Sequence, residues 1–542
     1  MKNKSYEQGL SDIPLLGETI SENLKRTVEK FPDREALVVP YQNYRATYSE
    51  FWEQITQVSK GLLAYGVKKG DRVGIWSPNR FEWVLIQYAT ARIGAIMVNV
   101  NPAYKAQELK FALKQSEISL LIMSKGFRKT NYVEILNEVR SSCISLNSIL
   151  VIDHDWEKLI TTGSRITDEE LEDIEASLEF DEPINIQYTS GTTGFPKGTT
   201  LSHHNILNNG FFIGERLGYT ENDRVCIPVP LYHCFGMVLG NMACTTHGCC
   251  MIFTGEAFDP ATVLQTVENE KATSLYGVPA MFIAELNLPN IDDYDFSSLR
   301  TGIMAGSQCP ESAMRDVRTK MNMKEVEICY GMTETSPVST QTFLDDNEER
   351  RCSTVGKVHP HLEIKIIDPD TGKIVPRNTP GEFCTRGYSV MLKYWDNPEA
   401  TAMVIDEGRW MHTGDMAEMD EDGYVKIVGR IKDMIIRGGE NISPHEIEEY
   451  LRNHNKIFDV QIIGVADKKY GEQVMAWVIL KENCEITIEE LTAYCKGQIA
   501  TFKIPFYWKF VSEFPMTVTG KIRKVEMREI ATKELGLASS RD

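Results

Sequence analysis

Between Val225 and Gly255 the chain carries no Asp, Glu, Lys or Arg. A stretch this long without charge has to be buried, either in a bilayer or in a protein core. Pro228, Pro230, Asn241, Thr245, Thr246 and His247 interrupt it, which speaks against a spanning helix. It is therefore expected to be a core segment lining a pocket, with no transmembrane segment. The 542 residues, 42% of them hydrophobic, are ample for a core and too many for one domain. The formal charge of −19 repels nucleic acid and anionic membrane unless a local basic patch intervenes, and no nucleic acid is expected as a partner. The start MKNKSYEQGLSDIPLLGE lacks an apolar run and reads as no secretory signal. The 12 cysteines include no CxxC pair and read as buried thiols of a cytoplasmic protein.

Local patterns alternate helix and strand. Thr47–Glu50 has the form of a capping box, followed by Phe51, Ile55, Val58 and Leu62 at helical spacing. Arg72–Trp76 reads as a short buried strand, and 95–100 as another after an intervening helix. The alternation predicts a layered α/β architecture. The last hundred or so residues have a different rhythm. Ser443, Pro444 and Glu446 predict a capped helix with Ile447 and Leu451 on its apolar face. Strands are expected at 460–465 and 474–480. A second capping box, Thr487–Glu490, heads a helix with Leu491, Cys495 and Ile499 beneath it. The predicted fold is α/β: a large N-terminal domain of layered α/β subdomains (1–431) plus a small, mobile α+β C-terminal domain (432–542).

The sharpest chemistry lies in Tyr188-Thr189-Ser190-Gly191-Thr192-Thr193-Gly194-Phe195-Pro196-Lys197-Gly198, directly after the apolar run 184–187. Glycines let backbone N–H groups approach phosphate oxygens, hydroxyls add donors, and Lys197 adds a point charge. Pro196 before the lysine and Gly198 after it exclude the Walker A pattern. A plain surface turn would not gather so many hydroxyls and glycines around one lysine.

This segment resembles the signature of the adenylate-forming (AMP-binding) superfamily, and the resemblance extends over nearly the whole chain. Tyr330-Gly331-Met332-Thr333-Glu334, Thr413-Gly414-Asp415, Gly429-Arg430-Ile431-Lys432-Asp433 and the 515–521 segment PMTVTGK match its further motifs in order. PLYHCFGM (230–237), RGYSVMLKYW (386–395) and KIVGRIKDMIIRGGENISP (426–444) look most like the medium-chain fatty acyl-CoA synthetases. The resemblance implies ATP and coenzyme A as co-substrates and Mg²⁺ as the metal. It implies that Thr189, Ser190, Gly191, Thr192, Thr193, Gly194 and Lys197 hold the polyphosphate. Tyr330 would stack on adenine, with Gly306 and Ser307 on its other side. Thr333 would bond the α-phosphate and Glu334 would hold Mg²⁺. Asp415 and Arg430 would bind the ribose, and His233 would sit beside the acyl carboxylate. Lys521 would bridge carboxylate and AMP, offsetting the repulsion of anion by anion. Lys432 would be the hinge of a rotation that brings Gly438 and Gly439 to the thiol channel.

Amino-acid-activating relatives usually place Asp after the position of His233, to pair with the substrate ammonium. Cys234 stands there, and the flanking acids Asp223 and Glu256 lie outside the charge-free stretch. A buried, unpaired ammonium costs several kcal/mol, so the expected substrate is an apolar carboxylic acid, with Phe235, Met237 and Val238 suited to line its chain. The expected function is an ATP-dependent fatty acid–CoA ligase. An adenylation enzyme loading an acyl carrier protein, a luciferase-like oxygenase and a non-catalytic acyl- or nucleotide-binding protein are the alternatives. A homo-oligomer stays open.

Overall fold

The computed structural model describes residues 3–189, 196–307, 309–438, 440–517 and 522–537. Its chain forms two compact units. The larger is Glu7–Ile364 with Thr385–His412, and the smaller is Met1–Tyr6, Lys365–Cys384 and Thr413–Asp542. Lys432 falls inside the smaller unit. Among the described residues no helix is long and apolar enough to cross a membrane.

The larger unit is built on two sheets. In one, Pro183–Thr189, Ile96–Asn99, Arg72–Trp76, Leu120–Met123 and Ser148–Val151 run parallel, and Lys197–Ser202 and Lys393–Tyr394 extend the edge antiparallel. In the other, Glu35–Val39, Cys250–Ile252, Arg224–Cys226, Ser274–Gly277, Thr301–Met304 and Glu325–Gly331 run parallel between antiparallel edges. Strand periodicity sorts the side chains into layers. Val73 and Ile75 join Leu37, Met251 and Ile303 in one core, whereas Trp76 points into the core behind the first sheet. Helix Phe81–Arg92 is buried at every position from Glu82 to Arg92, as a helix covered on all sides must be. Truncating its Trp83 to Ala would cost about 3–5 kcal/mol.

The helix Tyr48–Ala64 starts as the sequence implies. Thr47 accepts from Glu50 N, and the Glu50 carboxylate accepts from Thr47 N at 2.8 Å. The charge-free stretch is indeed core. It passes from strand Arg224–Cys226 through a loop into a π-helix, Phe235–Met242, then helix Ala243–His247 and strand Cys250–Ile252.

In the smaller unit, Ile457–Asp467 and Gly471–Leu480 form a long antiparallel pair, and Ile435–Arg437 and Tyr507–Phe510 both pair with Gly471–Leu480. Alternation gives it two faces. Val460, Ile462, Val474, Ala476 and Val478 pack on helices Pro444–Arg452 and Ile488–Cys495, whereas Ile463, Val465, Met475 and Trp477 pack on Lys524–Leu535. Thr487 and Glu490 form the expected capping box. Ser443 takes the N-cap position but not the expected side-chain bond, because its hydroxyl donates to the Val428 carbonyl at 2.6 Å.

Candidate active site

Thr189 and Lys197 are cross-strand partners, so a hydroxyl and a lysine from adjoining strands stand side by side. Thr189 Oγ1 donates to the Lys197 carbonyl at 3.5 Å and to Glu334 Oε1 at 3.3 Å. Tyr394 Oη donates to the same Glu334 Oε1 at 2.8 Å. Lys197 Nζ lies 5.0 Å from the Tyr394 ring centroid, within cation–π range. Burial, and then the Glu334 charge, push the Tyr394 phenol well above its usual range, so it stays a donor. Thr189, Lys197, Glu334 and Tyr394 thus make one cluster from three strand ends and the short turn Thr333–Thr335.

Glu334 is only 5% exposed. A buried carboxylate is costly unless its oxygens are paired, yet both side-chain hydrogen bonds described for it fall on Oε1. The carboxylate would suit a hard cation and would supply negative charge to it. Tyr394→Phe keeps the ring under Lys197 and removes the hydroxyl. A hydrogen bond to a charged group is worth about 1.5–3 kcal/mol, so pyrophosphate exchange should fall roughly tenfold or more. Unchanged exchange would show that the hydroxyl does not matter for the carboxylate's role.

Thr333, beside Glu334, is buried and accepts from Cys234 Sγ at 3.5 Å. This contact ties the turn to the segment that carries His233. The His233 carbonyl accepts from Gly236 N at 3.0 Å and Met237 N at 3.1 Å, and its Nδ1 accepts from Phe235 N at 3.2 Å. Its ring orientation is therefore fixed by the first turn behind it. Tyr330 ends the strand Glu325–Gly331 and is half-buried. Only glycine fits at 331, because a Cβ there would fall 1.7 Å from the Pro337 carbonyl oxygen. Gly306, with φ +91°, and Ser307 follow strand Thr301–Met304 and are exposed.

In the smaller unit, Asp415 and Arg430 are cross-strand partners, with Arg430 Nε 3.1 Å from Asp415 Oδ1. Thr413 Oγ1 accepts from Asp415 N at 3.2 Å and donates to the Phe383 carbonyl at 2.7 Å, fixing the bend before Asp415. Lys432 sits in the turn Ile431–Asp433. Burial, and then the Arg430 charge, draw its ammonium below the usual lysine range. Its neighbour Asp433 pairs with Arg528 of the last helix. Gly438 N donates to the Tyr470 carbonyl at 2.7 Å. The expected site residues Ser190, Gly191, Thr192, Thr193, Gly194, Gly439 and Lys521 lie outside the described residues.

Sequence reasoning did not assign Tyr394 to this machinery, and read Cys234 only as the position that argues against a substrate ammonium, not as a partner of Thr333. Tyr394 lay in a quoted motif, RGYSVMLKYW, and Cys234 next to a candidate histidine. Neither position in sequence reveals the hydroxyl or thiol contact that the fold makes.

Two sheets of mainly parallel strands in the larger unit, with hydroxyls and a lysine about one buried carboxylate, match the fold expected of the adenylate-forming class. The chain belongs to the AMP-binding enzyme family, whose model matches residues 24–395, with the family's C-terminal domain matching 446–521. It is 46% identical to a mitochondrial medium-chain acyl-CoA ligase of Danio rerio, over 98% of this chain and 91% of that protein. It is 48% identical to YngI of Bacillus subtilis, whose name proposes an acyl-CoA synthetase, over 97% and 99%. Among solved structures it resembles the anthranilate CoA ligase AuaEII in complex with anthranoyl-AMP, with TM-score 0.85 and 27% identity over 97% of this chain and 99% of that one.

Proposed function

We propose that this enzyme activates a medium-chain fatty acid. It is an ATP-dependent, AMP-forming carboxylic acid–CoA ligase. In the first half-reaction a carboxylate oxygen attacks the α-phosphorus of ATP and pyrophosphate leaves. In the second the CoA thiol attacks the acyl carbon, the acyl–phosphate bond breaks, and AMP leaves. The observation that carries the choice of acid is the uncharged segment around His233, buried from Cys234 to Thr245. Nothing there would pair with a substrate ammonium. The Danio rerio relative is named for medium-chain acids, which supports the length.

In this reading Lys197 draws the polyphosphate, with residues 189–194 giving further donors. Thr333 bonds the α-phosphate, Tyr330 stacks on adenine with Gly306 and Ser307 behind it, and Asp415 and Arg430 hold the ribose. Glu334 would hold Mg²⁺, which supplies positive charge against the phosphates when bound. His233 orients the acyl carboxylate and Lys521 bridges it to AMP. Rotation about Lys432, between domains 1–431 and 432–542, would then exchange Lys521 for Gly438 and Gly439 at the thiol.

The twelve cysteines, ten of them buried, support a reducing compartment, and we assign the cytoplasm. The Danio rerio relative is named mitochondrial, and cell fractionation separates the two locations.

The deciding experiment is pyrophosphate exchange and CoA-dependent AMP release over saturated fatty acids and over amino acids. Fatty acids should win, with the best kcat/KM at medium length. Preference for any α-amino acid would sink the assignment of the acid.

A further inference from the structure

The wall behind His233 is made of buried primary amides. Asn185 and Gln187 lie on one face of strand Pro183–Thr189, two residues apart, and Thr189 is next in the same period. Gln187 Nε2 donates to Asn185 Oδ1 at 2.9 Å. Asn185 Nδ2 donates to Asn99 Oδ1 at 2.9 Å and to the Met97 carbonyl at 3.0 Å. Asn99 Nδ2 donates to the Tyr232 carbonyl at 2.8 Å. The two main-chain carbonyls accept only, so they fix which end of Asn185 and of Asn99 is the amide nitrogen. The three amides therefore point the same way: Gln187 donates to Asn185, Asn185 to Asn99, and Asn99 to the Tyr232 carbonyl. Asn99, Asn185 and Gln187 are 2%, 1% and 3% exposed.

The series grips the His233 segment from both sides. Tyr232, which receives the last hydrogen bond, immediately precedes His233. Met237, whose N–H bonds the His233 carbonyl, offers its sulfur to Asn99 Nδ2 and Gln187 Nε2, both at 3.2 Å. The same strand face ends in Thr189, which bonds Glu334. One rigid strand thus carries the contact to the phosphate-side carboxylate and the root of the amide series that holds the acid side.

Burying three amides gains nothing over apolar packing unless every group is paired. Their benefit is position without charge. An amide stays neutral at any working pH and neither attracts nor repels a carboxylate in the neighbouring site. An Asp or Lys in the same place would do one or the other.

We propose that Gln187, Asn185 and Asn99 are positioning residues that set where His233 and Met237 stand, and so fix the acid subsite relative to the ATP subsite. The proposal rests on the ligase reading above, with His233 beside the acyl carboxylate. The test uses the full-length enzyme, a medium-chain fatty acid and pyrophosphate exchange. Asn99→Leu and Asn185→Leu should each raise the KM for the acid about tenfold and leave the KM for ATP within about twofold. Because the residues act in series, the double variant should stay near the larger single effect, roughly tenfold rather than about a hundredfold.

Met237→Leu keeps volume and an apolar surface toward the acyl chain while losing the sulfur acceptor. It should raise the acid KM about threefold, and it decides the matter if a leucine variant fails to fold. An unchanged acid KM in folded variants overturns the proposal. So does a fall in kcat alone with both KM values unchanged, which marks a merely structural role, and so does a multiplicative double variant. A wild-type enzyme that exchanges pyrophosphate with no carboxylic acid rejects the ligase reading, and the positioning role with it.

Discussion

Glu334→Gln should slow acyl-adenylate formation by about a hundredfold and move the Mg²⁺ titration to higher concentration, with melting nearly unchanged. The contrast follows from how the side chain is held. Tyr394 and Thr189 both donate to Oε1, and a glutamine carbonyl can accept the same two hydrogen bonds in the same volume. The backbone is held independently, by Met391 N donating to the Glu334 carbonyl at 2.8 Å. What the variant loses is the negative charge, and with it the ability of the second oxygen to ligate a hard cation. Removing a buried carboxylate also ends its desolvation cost, so stability should hold or rise slightly. Pyrophosphate exchange against Mg²⁺ concentration, with a thermal melt, reads both halves. Wild-type rates at every Mg²⁺ concentration would remove Glu334 from the metal site.

What could be read from the chain depended on how local its cause was. The caps at Thr47 and Thr487 were legible because donor and acceptor sit three residues apart. Ser443 was only half legible. Its place at the N-cap is local, but its hydroxyl goes to Val428, fifteen residues back in an earlier strand. Burial of Val225–Gly255 followed from the missing charges, yet the π-helix within it did not. Side chains from elsewhere take its carbonyls. Gln87 Nε2 bonds Met237 O at 3.1 Å, Tyr276 Oη bonds Leu239 O at 3.1 Å, and Tyr88 Oη bonds Asn241 O at 3.2 Å. A π-turn leaves such carbonyls to be satisfied off the helix. The site divides the same way. Glu334, Thr333, Lys197, Asp415 and Arg430 stood out as motif members, and the fold gathers them into a cluster in one unit and a pair in the other. Tyr394 and Asn99 act on residues far away in sequence, Glu334 and Tyr232, and only the fold supplies those neighbours.

Lys521→Ala should reduce acyl-adenylate formation from acid and ATP by about a hundred- to a thousandfold, the scale of losing one positioned group at a developing charge. The sequence offers substitutes close by, Arg523 and Lys524, and a merely basic stretch would let them compensate. Lys524 is committed to a buried carboxylate and cannot compensate, whereas Arg523 is held only by a surface ion pair. Arg523 Nη1 lies 2.5 Å from Glu526 Oε2. Lys524 Nζ lies 2.6 Å from the buried Glu448 and also donates to the Ile462 carbonyl at 3.0 Å, tying the last helix to the central strand pair of the smaller unit. Lys524→Ala should therefore act differently. It leaves Glu448 buried without its cation, a loss on the order of 3–5 kcal/mol, and should lower the melting temperature and both half-reactions together. Lys521→Ala should leave melting unchanged and spare thioester formation from supplied acyl-adenylate and CoA, because on the rotation reading the lysine has left the site by that step. Single-turnover kinetics of each half-reaction, run on both variants beside a thermal melt, separates the roles. Equal loss in both half-reactions of Lys521→Ala would reject the bridging role and turn the lysine into a structural residue.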